Sequence, residues 1–126
     1  MKIEEILYEM EGKCSMNISA PACNDELRRL ECLFPEQTKQ LRSLYMVTDG
    51  VEINVPGTVL YPAEMVMKRN EGRNPNALLE IGTFIFGDRL YLAADGKVTQ
   101  VDHETGEVFL EWRSLNRFLM DELSAL

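Results

Sequence analysis

Residues 34–50 spell one amphipathic helix with both ends marked, and no other stretch limits the fold so tightly. Phe34 precedes Pro35, whose missing N–H is harmless in a first helical turn. Leu41, Leu44, Tyr45 and Thr48 then fall at i, i+3, i+4 and i+7, the spacing of a buried helical face. Asp49-Gly50 predicts the stop, with Gly50 able to take φ > 0 at C′. The period then changes to two. Val51, Ile53 and Val55 alternate with Glu52 and Asn54, and the turn pair Pro56-Gly57 closes a half-buried strand.

Upstream, Ile3, Ile6, Leu7 and Met10 make one helical stripe over residues 2–11, with Gly12 as a left-handed stop. Residues 13–23 lack periodicity and read as a connection. Residues 1–20 are thus a helical arm and its connection, expected to dock onto the rest of one domain spanning 1–126. Asn24 is the expected N-cap of a further helix, with Asp25 and Glu26 in its first turn and Leu27, Leu30 and Leu33 on its inner side.

Downstream the chain is punctuated by turns. Residues 58–61 predict a partner strand, and Pro62 opens a short helix through Met65 and Met67. Residues 70–76 give the strongest loop signal and the expected mobile surface element. Residues 78–86 read as an apolar strand with a bulge at Gly82. Gly87-Asp88, Asp95-Gly96 and Thr105-Gly106 mark successive reversals between the last strands. Val108, Leu110 and Trp112 share one strand face directed at the core, and Phe109 points the other way. Ser114 caps a closing helix carrying Leu115, Phe118, Leu119 and Leu123. The fold class is therefore α+β, an antiparallel sheet of about five or six strands covered on one face by helices.

The net charge of −8 over 126 residues argues against nucleic acid as a direct ligand, because phosphate binding needs clustered Lys and Arg. It suits either solubility or a partner with a basic face. No apolar run is long enough for a membrane span, and the acidic start Met1-Lys2-Ile3-Glu4-Glu5 is unlike a secretory signal, so a cytoplasmic protein with no membrane partner is expected. Cys14, Cys23 and Cys32 form no Cys-x-x-Cys spacing, and the single histidine, His103, lies far along the chain. No metal site and no cofactor are expected. Cys32 reads as a helix-buried thiol, the other two as parts of a surface connection, and His103 as a solvated turn residue.

The order of these signals is similar to that of the SUKH superfamily. Pro21-Ala22-Cys23-Asn24-Asp25-Glu26-Leu27 resembles the family's lead and first helix, Phe34-Pro35 stands where Leu-Pro is usual, and Tyr45-Met46-Val47-Thr48-Asp49-Gly50 matches the helix end. Leu79-Glu80-Ile81-Gly82, Phe86-Gly87-Asp88, Gly96-Lys97-Val98, Asp102-His103-Glu104-Thr105-Gly106 and Ser114-Leu115-Asn116-Arg117-Phe118-Leu119 follow the family's later order. The resemblance covers roughly residues 21–123. Phe34 for Leu and Asp49 for the commoner Asn are departures that keep apolar and turn-forming character. The resemblance implies a bacterial immunity protein that binds and neutralises a polymorphic toxin, and other members of the family are regulatory or scaffolding modules. It carries no shared catalytic residues.

The residues themselves supply no Gly-rich phosphate loop, and the paired carboxylates fall at helix starts and turns rather than in a recognisable pocket pattern. A Cys–His pairing through His103 is the one catalytic arrangement left to consider, and the chain reads as a binding protein rather than an enzyme. The expected contact residues are the acidic positions Glu52, Asp88, Asp95, Asp102, Glu104 and Glu107, with Phe109 on the outer sheet face, against a basic toxin domain. The alternative is an intracellular regulatory module with a different protein partner. Self-association is left open.

Overall fold

The computed structural model describes residues 1–54 and 57–126, so the expectations for Val55 and Pro56 lie outside the described residues. The elements run α1 (Ile3–Glu11), β1 (Met16–Ile18), α2 (Asn24–Leu33), α3 (Pro35–Tyr45), β2 (Val51–Ile53), β3 (Thr58–Leu60), α4 (Ala63–Arg69), β4 (Leu79–Phe84), β5 (Arg89–Leu92), β6 (Val98–Val101), β7 (Val108–Trp112) and α5 (Leu115–Ser124). This is an α+β fold whose seven strands form one antiparallel sheet in strict sequence order, β1 to β7. The sheet exceeds the expected strand number because Met16-Asn17-Ile18, read as connection, pairs with Ile53-Glu52-Val51. Among the described residues, no helix is long and apolar enough to cross a membrane.

The helical stripes bury as their spacing requires. Ile3, Ile6, Leu7 and Met10 of α1, Leu41, Leu44 and Tyr45 of α3, and Leu115, Phe118, Leu119 and Leu123 of α5 are all core residues. The arm α1 docks on its own domain, packing against α5 and α3, while α2 packs against α3 and α4. Ser114 Oγ accepts from the Arg117 N–H, the capping bond its position predicts.

Several expectations about helix ends are corrected. Gly12 has φ −74° and closes α1 in an ordinary right-handed turn. Cys23, not Asn24, occupies the N-cap of α2. Leu33 and Cys32 are both exposed, because α2 buries only Leu27 and Leu30. Phe34 ends α2 and begins α3 at once, with its carbonyl accepting both the N–H and the hydroxyl of Thr38.

Thr48-Asp49-Gly50 joins more elements than a helix stop does. Thr48 Oγ1 accepts from Ser19 N–H, and Asp49 N–H donates to Ala20 C=O, so this corner holds the lead out of β1. Asp49 Oδ1 accepts from Ala63 N–H, satisfying an orphan donor at the start of α4. Gly50 takes φ +84°, four residues beyond Met46, the C-cap of α3, rather than at C′. A Cβ there would lie 2.7 Å from both Leu60 O and Pro62 N.

Residues 70–76, expected as a mobile surface loop, are tied down at both ends. Asn70 is buried, donates from Nδ2 to the carbonyls of Val66 and Glu80, and accepts from Glu80 N–H. Gln37 Nε2 donates to the carbonyls of Pro75 and Ala77, each at 3.0 Å. Beside them the buried carboxylate of Glu80 accepts from Tyr61 Oη, Arg69 Nε and Arg89 Nη1 at 2.8, 2.7 and 3.4 Å. Burial, then the bond to Glu80, pushes the Tyr61 hydroxyl up to about 12, so it stays a donor. The bulge expected at Gly82 is present as a register shift between Glu80 and Gly82.

Gly50→Ala should destabilise the protein by about 2–4 kcal/mol in urea unfolding, since it adds backbone strain to a close main-chain approach. Gly72, at φ +77° with nothing within 4 Å of an added Cβ, is the control and should lose only about 1 kcal/mol as Gly72→Ala. Equal losses at the two positions would remove the close-approach argument.

Candidate protein-binding surface

The β4–β5 and β6–β7 turns lie at one end of the sheet, since the strands are sequential and antiparallel. A buried acid holds them together. Asp88 Oδ2 accepts from Gln100 Nε2 at 2.8 Å, and Oδ1 accepts from His103 N–H at 3.1 Å and from the His103 ring, Nδ1, at 2.7 Å. The His103 ring lies over Gly87, φ +105°, where a Cβ would meet ring carbons at 3.2 Å. The bond from His103 comes first and that from Gln100 second in holding the Asp88 carboxyl below its ordinary range. In return the bond to Asp88 raises the His103 imidazole.

Asp88 was expected among exposed acidic contacts. Its side chain is only 7% exposed and fully engaged, so it positions the turns and cannot face a partner. His103, expected to be solvated, is a half-exposed member of this latch.

The next turn is shaped by Asp102, whose Oδ1 accepts from the N–H groups of Glu104 and Thr105 at 2.7 and 3.0 Å. Gly106 at φ +75° completes the reversal, and Asp102 N–H donates to Glu107 C=O. Asp88, Asp102 and His103 bring ligand-type atoms within 4.8 Å of one another. Both Asp88 oxygens and Asp102 Oδ1 already accept hydrogen bonds. Asp88 and His103 form a hydrogen-bonded latch between two turns, and Asp102 braces the second of those turns.

Around the latch, apolar side chains stand in water. Ile85 is 81% exposed and Phe86 55%, the latter stacked on Phe84 with centroids 5.3 Å apart. Val108, Phe109 and Leu110 are also exposed, at 57, 62 and 48%. The expected core face of β7 is therefore corrected. Only Trp112 packs inward, against the edge of the Phe118 ring at 4.8 Å, with Nε1 donating to Asp121. A register shift between Gln100 and Val101 pairs Leu110 with Gln100 but Val108 with Val101, so the two do not share the face that the alternation predicts. Glu104, Glu107 and Glu111 are exposed beside this patch, and Asp102 is half-buried at its turn.

Of the residues expected to bind, Asp102, Glu104 and Glu107 lie on the β6–β7 turn and Phe109 follows in β7. Glu52 sits on β2, the second of the seven strands, and accepts from Asn17. Asp95 lies in the β5–β6 turn at the opposite end of the sheet, capping Lys97 N–H. Ile85 and Phe86 were missed, having been read as the end of a buried strand. Their place before Gly87-Asp88, a turn signal, was the usable clue. Next to the patch, a hollow of about 330 Å³ is bounded by Arg89, Tyr91, Val101, Asp102, His103 and Gly106. No thiol joins His103 there: Cys14 donates to Met10 C=O, Cys23 to Glu26, and Cys32 opens elsewhere on α2.

The latch makes stability depend on pH in a fixed direction. His103 is raised above 6.5, so its share is full below pH 6.5 and is lost as pH rises through the raised value. Asp88 is lowered below 3.8, so its share is full above pH 3.8 and is lost as pH falls through the lowered value. The melting temperature of the native chain should therefore exceed that of His103→Gln most between those two limits, and the gap should close in alkaline buffer. A gap independent of pH would show that the pair carries no charge-dependent stabilisation.

Compared with protein-family models, curated proteins and solved structures, the chain gives no match.

Proposed function

We propose that this chain is a non-catalytic binding protein that neutralises a bacterial toxin domain with a basic face, in the manner of an immunity protein. The observation that carries the reading is the set of exposed apolar side chains Ile85 and Phe86, on the β4–β5 turn, and Val108, Phe109 and Leu110, on the edge strand β7, with Glu104, Glu107 and Glu111 exposed in the same β6–β7 segment. Exposed large apolar side chains among carboxylates are what a protein interface presents, and Phe and other aromatic side chains dominate such contacts. A carboxylate rim on a chain of net charge −8 attracts a cationic partner and fixes its orientation. The ordered arrangement of turns and helices shared with the SUKH superfamily gives the same reading from the sequence side.

The division of labour follows from the physics of each part. The apolar centre holds the complex by excluding water, so it governs dissociation. The acidic rim acts at a distance of about one Debye length, roughly 8 Å in physiological salt, so it governs association. A rigid hairpin pair needs no ordering on binding, which keeps the entropic cost low.

Co-expression with the polypeptide of the neighbouring reading frame, scored by survival and co-purification, tests the proposal. Phe109→Asp should abolish rescue and raise the dissociation constant at least about 100-fold, the scale of a buried aromatic contact. Glu104→Lys with Glu107→Lys should slow association about tenfold at low salt and much less at high salt. Glu52→Lys and Asp95→Lys should leave both readouts nearly unchanged. Full rescue by Phe109→Asp, or loss of rescue only with Glu52→Lys or Asp95→Lys, would move the contact away from this surface.

A further inference from the structure

Of the two outer strands of the sheet, only β7 presents a usable edge. β1 is three residues long, with Met16 and Ile18 half-buried, and just beyond it Ser19 N–H donates to Thr48 Oγ1. β7 is five residues long, about 17 Å at the usual rise per residue, and it pairs with β6 alone. Among the described residues, no element besides β6 bonds the main chain of residues 108–113. Such a row of unpaired N–H and C=O groups is a template for one more strand. Apolar side chains stand on both faces of the template. The register shift turns Val108 and Leu110 to different faces, at 57 and 48% exposure, with Phe109 between them at 62%. The strand is also preformed. Trp112 packs on Phe118 at 4.8 Å and donates to Asp121 at 2.7 Å, while Asp102 braces the turn before β7. An edge held at both ends loses little freedom on binding.

The charges along this edge name its occupant. Residues 104–113 carry three carboxylates, Glu104, Glu107 and Glu111, against the single cation Arg113. All three are exposed, and neither Glu107 nor Glu111 joins an ion pair among the described residues. A carboxylate within an edge strand opposes another anionic strand, because like charges directly opposite are destabilising, and it favours Lys or Arg there. The bulge adds to this guard by bending β7 away from the flat form through which copies of one chain join edge to edge. Two copies would also bring together net charges of −8 each. The edge is thus guarded against its own kind and suited to a cationic strand.

We propose that β7 takes up an extended, Lys- or Arg-bearing segment of the protein partner, adding one strand to the seven of the sheet. This rests on the reading of the chain as a binder of a basic toxin domain, and it adds how that domain is held. Main-chain bonds along β7 give affinity whatever the sequence of the added segment. Its alternate side chains, apolar beside Val108 and Leu110 and cationic opposite Glu111, set its register.

Amide hydrogen exchange of the native chain, alone and mixed with the polypeptide of the neighbouring reading frame, is the test. Exchange over residues 108–112 should slow at least about tenfold in the complex, the mark of new main-chain bonds, and exchange in β1 should stay as it was. Glu111→Lys should weaken the complex at least about tenfold and Glu111→Gln less, both with melting temperatures close to native. A complex that forms but leaves residues 108–112 exchanging as in the free chain overturns the added strand and leaves the toxin reading standing. Absence of any complex overturns both. Exchange over residues 108–112 that slows with concentration in the chain alone assigns the edge to a second copy, and so overturns the proposal.

Discussion

The corner at Thr48-Asp49-Gly50 is the constraint on which the rest of the architecture depends. It is where a helix-rich half becomes a sheet-rich half, and three residues there satisfy groups from the β1 lead, from α4 and from their own turn. Only glycine permits the approach of Gly50 to the main chain at Leu60 and Pro62. Because Tyr45 Oη also donates to Tyr61 C=O, the end of α3 is locked to the end of β3. Burial, with the nearby Asp49 charge second, keeps the Tyr45 hydroxyl protonated and so preserves that donor. The relative placement of α3 and the β2–β3 pair follows, and the remaining hairpins extend from β3.

At the far end of the sheet a second fixed point has a different purpose. The bonds of Asp88 to Gln100 and His103 hold two turns side by side, and those turns carry apolar side chains that a monomer has no need to expose. One buried carboxylate thus orders a surface that it never reaches. Glu80 does a similar service between Arg69, Arg89 and Tyr61 without creating any exposed apolar surface. Two buried acids, both satisfied, thus sit in different surroundings, one beside exposed apolar turns and one inside a closed polar cluster.

What could be read from the residues follows a physical rule. Helices α1, α3 and α5 were legible because three or four buried apolar positions at helical spacing in each leave no other solution. The hairpins were legible from Asp95-Gly96 and Thr105-Gly106, where the chain must reverse. β1 was not, since Met16-Asn17-Ile18 is too short to show a period and is defined only by β2, more than 30 residues later. Burial of Asp88, Glu80, Asn70 and Gln37 was equally hidden, because each is decided by partners distant in sequence. Half of the proposed binding surface, Asp102 through Phe109, was visible as acid and aromatic near a turn. Ile85 and Phe86 were not, since a strand's apolar end and a hydrophobic turn tip read alike.

The order of the sheet has one more implication. Every strand hydrogen-bonds only its predecessor and successor along the chain, so assembly can proceed like a zip from the centre outward, with no strand threaded between two others. The terminal tooth is β7, gripped by β6 alone. β7 also rests on α5 through Trp112, whereas β1 at the other edge is three residues long and paired with β2, so local unfolding should begin at β1. The edge proposed for a partner is then not the edge that opens first, so it can keep its shape while the opposite margin of the sheet breathes.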